Sequence, residues 1–228
     1  MVTVTDVQTE RPLVVAIDGP SGSGKSSTAR GVAERLGLAY LDTGAMYRAG
    51  AWLVADQNLS GPEEIAEAVC AADIEIGTDP GDFWIRIDGT DVTTAIREPR
   101  ISQAVSAVAT VQPVRDALID QQRELIADAE RGIVVEGRDI TTVVAPDAQV
   151  RVLLVADPQA RIARREAELA GAASTAEVTD QVIRRDRDDS TVAAFTEAAE
   201  GVTVIDSTHL GLAEVIDQIC SLAEKPTP

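Results

Sequence analysis

The densest chemical signal in the chain is Gly19-Pro20-Ser21-Gly22-Ser23-Gly24-Lys25-Ser26, followed by Ser27, which fits the pattern G-x-x-x-x-G-K-[ST]. A loop of this kind binds the phosphates of a nucleoside triphosphate. Its glycines let backbone N–H groups curl around a phosphate, and the following helix N-terminus adds positive potential. Lys25 can then reach the β- and γ-phosphates, and Ser26 can ligate Mg²⁺, partly through water. The rest of the inventory removes several chemistries. Lysine occurs only at Lys25 and Lys225, so Lys25 is the one plausible catalytic lysine. His209 is the single histidine, which excludes His-based triads and multi-histidine metal sites. The guanine site of a GTPase, Asn-Lys-x-Asp, cannot be written, because the only asparagine is Asn58 and Leu59 follows it. The chain is short for a motor ATPase, which leaves kinase as the leading class.

A kinase of this type needs a second anion site facing the γ-phosphate, and arginine suits it because the guanidinium fork binds phosphate bidentately and stays charged. Arg48 follows an Asp42-Thr43-Gly44 turn, Arg115 stands near a helix start, and Arg138 lies in Glu136-Gly137-Arg138-Asp139 at a strand's C-terminal end. Ligands of open α/β sheets bind at that edge. These cations must converge, because the net charge is -18. Such an acidic chain repels a nucleic-acid backbone, so the expected partners are small anionic molecules.

Positioning these residues requires strands that end at one edge. Leu13 to Ile17 is a short apolar run that reads as a buried strand feeding the glycine-rich loop, and Lys25 to Leu36 has helical periodicity capped by Gly37. Further runs at Leu38 to Leu41, Ile133 to Val135, Val150 to Ala156 and Val202 to Ile205 alternate with helical patterns, predicting an α/β fold with five parallel strands. Pro113 and Asp157-Pro158 mark helix starts. Two segments interrupt the alternation. Ile74 to Thr93 contains strand-like pieces, a Pro80-Gly81 turn and a hairpin-type Asp88-Gly89 pair. Gly171 to Phe195 is charged and sets Arg184, Arg185 and Arg187 among Asp186, Asp188 and Asp189, as expected of a flap.

With these residues in view, the chain resembles bacterial cytidylate kinase over nearly its whole length. The resemblance is carried by Ile17 to Ser27, by Leu41-Asp42-Thr43-Gly44-Ala45-Met46-Tyr47-Arg48, by Val134-Val135-Glu136-Gly137-Arg138-Asp139, by Thr142-Val143-Val144 and by Pro146-Asp147-Ala148. It implies a nucleoside monophosphate kinase fold: one P-loop kinase domain with a core (12–58, 113–170, 197–225), a small β-containing monophosphate-binding insertion (59–112) and a helical, arginine-bearing lid (171–196). It further implies ATP as donor, Mg²⁺, and CMP or dCMP as acceptor. Arg48, Arg138 and Arg185 would hold the acceptor phosphate, Ser106 and Asp189 would contact the ribose, and Thr43, Arg115 and Asp139 would face the cytosine, with Tyr47 in the same pocket. Lys25, Arg138 and Arg185 would carry the catalytic charge. The chain departs from the family where Thr141 stands for a common Gly, Ala145 for a common Phe, and Val192 for a lid Arg.

The remaining features point to a monomeric cytoplasmic protein. The longest apolar stretches fall short of the roughly 20 residues of a membrane span. The leader from Met1 to Arg11 is polar, and the two cysteines, Cys70 and Cys220, are expected to be buried thiols instead of a disulfide framework. Two other readings stay open at this point: a P-loop kinase for another small acceptor, such as a different monophosphate or shikimate, and a non-catalytic nucleotide sensor.

Overall fold

The computed structural model describes residues 11–169, 179 and 197–224. Strand β1 (Val14–Asp18) runs into the glycine-rich loop and then helix α1 (Lys25–Leu36), which ends at Gly37 in the left-handed region, φ 66°. Strand β2 (Ala39–Asp42) leads into α2 (Thr43–Asp56) with no intervening turn, because the Asp42 side chain caps the helix by accepting from the Ala45 N–H at 2.9 Å. The segment read as a turn is therefore the first turn of a helix. Next come α3 (Pro62–Ala71), three short strands β3 (Ile74–Ile76), β4 (Ile85–Ile87) and β5 (Thr90–Asp91), a 3₁₀ turn at Ala95–Arg97, and α4 (Pro99–Ala109).

The core resumes with α5 (Gln112–Ala127), where Pro113 takes the second helical position, then β6 (Ile133–Gly137), a π-turn at Ile140–Val144 and β7 (Val150–Val155). Helix α6 (Pro158–Leu169), strand β8 (Thr203–Asp206) and helix α7 (Leu212–Ala223) complete the described chain. The five expected strands form one parallel sheet in the order β2-β6-β1-β7-β8, their ends shifted by one or two residues from the apolar runs. Asp18, Asp42 and Gly137 end their strands side by side at the sheet's C-terminal edge, where they remain buried.

Alternation along the strands divides the core in two. Val15, Ile17, Tyr40, Val134, Val152 and Leu154 face α1 and α7, while Ala16, Leu41, Ile133 and Val135 face the side of α2, α4 and α5. The insertion shares the second cluster through Ile65, Ile85, Ile87 and Ile101. Its β4–β5 hairpin turns at Asp88 (φ 49°) and Gly89 (φ 73°), as the Asp-Gly pair predicts. Beyond this shared cluster, polar and ring contacts also join residues 59–112 to the rest of the sheet and helices. The Tyr40 N–H at the β2 edge donates to the Thr78 carbonyl at 2.8 Å, and the Phe83 ring lies between the guanidinium groups of Arg30 and Arg97, 5.9 and 5.6 Å from its centroid.

Cys220 is buried, but Cys70 is exposed. Helix α3 buries Ile65 and Val69, and the next position turns about 100° away from that face. The flap residues Arg184, Arg185, Arg187, Asp189 and Val192 lie outside the described residues. No helix among the described residues is long and apolar enough to cross a membrane.

Candidate active site

The C-terminal ends of β1, β2 and β6 open onto a cavity of about 770 Å³, a size suited to small ligands. Gly22, Gly24, Lys25, Ser26 and Ser27 line one side, and Thr43, Tyr47, Arg48, Arg115, Arg138 and Asp139 line the other. The structure thus brings the P-loop and most residues carried over from the resemblance around one space. Gly19, Pro20 and Ser23 serve through backbone atoms behind the lining. The Gly19 carbonyl accepts from Arg138 Nη1 at 2.7 Å, and the Pro20 carbonyl from Lys25 Nζ at 3.0 Å. The Ser23 carbonyl accepts from Arg164 Nη1 at 3.2 Å and from the Ser207 hydroxyl at 3.0 Å.

Helix α4 reaches the cavity through Ser102, Val105 and Ala109; Ser106, one turn beyond Ser102, is half-buried beside that lining. Arg185 and Asp189 fall outside the described residues.

The wall facing the P-loop is organised by charge pairs. Asp42 receives Arg48 Nη2 at 2.8 Å on the oxygen not used for capping, and Asp139 receives Arg115 Nη2 at 2.5 Å. Both pairs are largely buried, with side-chain exposures of 16% and 10% for Arg48 and Asp42, and of 11% and 10% for Arg115 and Asp139. The Thr43 hydroxyl donates to the Glu136 carbonyl at 2.8 Å, so its oxygen faces the cavity as an acceptor. Gly137 is required beside it, because a Cβ there would lie 2.6 Å from Thr43 Oγ1.

Glu136 is a site residue that the sequence reading quoted in a motif without a role. Its carboxylate accepts from the Tyr40 hydroxyl at 2.8 Å and hydrogen-bonds the Ser26 side chain. Burial, followed by repulsion from Asp42, pushes its carboxyl above the ordinary range, against the pull of Lys25. Asp18, at the end of β1, is likewise raised by burial, opposed by hydrogen bonds from Thr141 and Ile140. Tyr47 is pushed up to about 12, chiefly by burial, and Tyr40 is pushed up further by burial and by Glu136. A charge inside an apolar strand is the signal that could have found Glu136.

Ser26 and Glu136 offer hard oxygen ligands next to the phosphate loop, which fits Mg²⁺. Among the described residues no cluster of three or more His, Cys, Asp or Glu could hold a metal, so substrate phosphates and water would complete the coordination.

On its outer side the P-loop is clamped by α6 and the end of β8. Arg161 Nη1 donates to the Ser21 carbonyl at 3.1 Å, and Arg164 Nη2 reaches the Ser207 carbonyl at 2.5 Å. Gly22 sits in the left-handed region at φ 75°, where a Cβ would approach the Arg161 carbonyl to 2.6 Å.

Comparison with known proteins identifies the family. The family model described as "Cytidylate kinase" matches residues 15–225. The chain is 60% identical over 214 residues to a cytidylate kinase of Cutibacterium acnes, covering 92% of this chain and 96% of that protein. It is 47% identical to a cytidylate kinase of Nocardia farcinica, covering 92% and 93%. Among solved structures, an uncharacterized protein from Eubacterium ventriosum shares the fold with a TM-score of 0.51 at 11% identity, covering 93% of this chain and 99% of that one. A family match over this span, with relatives this similar along nearly their full length, shows that the chain belongs to the cytidylate kinase family.

Proposed function

We propose that the protein transfers the γ-phosphoryl group of ATP to CMP or dCMP, giving ADP and CDP or dCDP. The observation that carries this reading is the Arg115–Asp139 pair in the cavity wall across from the P-loop, beside the Thr43 oxygen. Cytosine presents an amino donor next to acceptors. A carboxylate and a hydroxyl oxygen whose hydrogen is already committed accept from that amino group, while Arg115 donates to the acceptors.

The acceptor phosphate is already an anion and needs little base catalysis, so rate comes from alignment and charge neutralisation. Lys25 would leave the Pro20 carbonyl for the transferred phosphate, and Arg138 would face the acceptor phosphate with Arg48. Ser26, with Glu136 beside it, would hold Mg²⁺, which when bound would supply charge neutralisation for the donor phosphates. The stretch 59–112 is read as the monophosphate-binding insertion, and 171–196 as the lid that supplies Arg185 and Asp189 and excludes water. Ser106 is assigned to the ribose. Both sides of the cavity come from one chain, which supports action as a monomer, and two free thiols fit the cytoplasm.

The test is a panel of CMP, dCMP, UMP and AMP with coupled ADP detection. Preference for the two cytosine nucleotides is expected. Equal or better turnover of UMP or AMP overturns the assignment of the base site.

A further inference from the structure

We infer that Asp18 is a positioning residue for phosphoryl transfer: its carboxylate holds the turn bearing Arg138 and Asp139 in fixed register with the P-loop. The inference rests on the kinase reading above, and it concerns residues outside the cavity lining. Asp18 is 2% exposed and directly precedes Gly19, the first residue of the loop. Strand pairing sets it opposite Gly137 of β6. From there its Oδ1 accepts from the Ile140 N–H at 2.8 Å, and its Oδ2 accepts from the Thr141 N–H at 2.8 Å and the Thr141 hydroxyl at 2.6 Å. Three donors of one turn thus converge on one carboxylate of the neighbouring strand.

A second tie runs the other way, since Arg138 in the same turn donates to the Gly19 carbonyl at 2.7 Å. The carboxylate at the loop's base grips the turn's backbone, and the guanidinium of the turn grips the loop's backbone. Donor phosphates sit on one of these elements, and the groups facing the acceptor sit on the other. Their separation is what in-line transfer depends on, and an error of about 1 Å there is worth up to ~10²-fold in rate. The Thr141 hydroxyl supplies the third donor, so the grip in this chain includes a side chain.

A purely structural role would lower stability without changing turnover in the molecules that remain folded. Positioning lowers kcat while leaving ATP binding nearly intact. The test uses the full chain and the variants Asp18→Asn, Thr141→Val and Thr141→Ser, assayed with ATP and CMP well below each measured Tm. Asparagine turns one accepting oxygen into a donor that faces the Thr141 N–H. Asp18→Asn is expected to lose at least ~10-fold in kcat with KM for ATP changed less than about 3-fold, Thr141→Val to lose less, and Thr141→Ser to recover turnover lost in Thr141→Val. Wild-type kcat in folded Asp18→Asn overturns the inference. If that variant does not fold, wild-type kcat in Thr141→Val, or no recovery in Thr141→Ser, overturns it equally. Absence of CMP turnover in the wild type would instead strike the functional reading.

Discussion

Arg115 and Asp139 neutralise one another across 2.5 Å in the wall of the cavity, although 24 residues separate them in sequence. The pairing brings a helix residue of α5 against the turn after β6, while Arg138, next to Asp139 in sequence, reaches the P-loop. Replacing Asp139 with Ala would strand a buried guanidinium and cost stability. Asp139→Asn is the cleaner variant, because it keeps the shape and removes an acceptor. We expect it to lower kcat/KM for CMP by ~10²-fold while affecting UMP far less. An unchanged CMP to UMP ratio would remove Asp139 from the base site.

Lys25 is only 7% exposed, and its ammonium group rests on the Pro20 carbonyl. Lys25→Met keeps most of the stem and deletes the charge. A fall of at least ~100-fold in kcat is expected, with circular dichroism and Tm close to wild type. Near-normal kcat would show that the transferred phosphate is stabilised by other groups.

The protein has two tyrosines, Tyr40 and Tyr47, and the structure raises both phenols. Their folded values exceed the ordinary value near 10, so their contribution to stability is present below that pH. It is lost as pH rises toward the Tyr47 value of about 12. Tyrosinate absorbance should therefore stay low through pH ~10 and appear together with unfolding. Half-ionisation near pH ~10 in the folded protein would contradict the burial of both rings.

Gly22→Ala tests the outer clamp on the P-loop. The added Cβ meets the Arg161 carbonyl at 2.6 Å in a backbone conformation with φ 75°. We expect a loss of about 1–3 kcal/mol in stability and weaker ATP binding by calorimetry. Unchanged ATP affinity would mean that the loop adapts without help from α6.

The sequence made the framework and the donor side legible, because strand, loop and helix there follow one another locally. Leu13 to Ile17, the glycine pattern and the helix from Lys25 form a single contiguous unit. The Asp88-Gly89 hairpin was legible for the same reason. The residues of the opposite cavity wall, Thr43, Tyr47, Arg48, Arg115, Arg138 and Asp139, were legible as a set through the family's motifs, but their pairings were not. Asp42 with Arg48, Asp139 with Arg115, and Asp18 with Thr141 depend on which strand ends become neighbours, and the order β2-β6-β1-β7-β8 is not written in any local pattern. Cys70 misled because it follows Val69 on α3, and one position along a helix separates a buried face from solvent.

The hydrogen bond from the Tyr40 N–H to the Thr78 carbonyl has a bearing on solubility. Strand β2 is an outer strand of the parallel sheet, and an outer strand with unmatched backbone groups is a template for pairing with another molecule. The chain between α3 and β4 lies against that border, so the segment assigned to monophosphate recognition also shields it. A version of the protein shortened across this segment would bare a run of amide and carbonyl groups, and its first symptom would be self-association in place of a change in substrate preference.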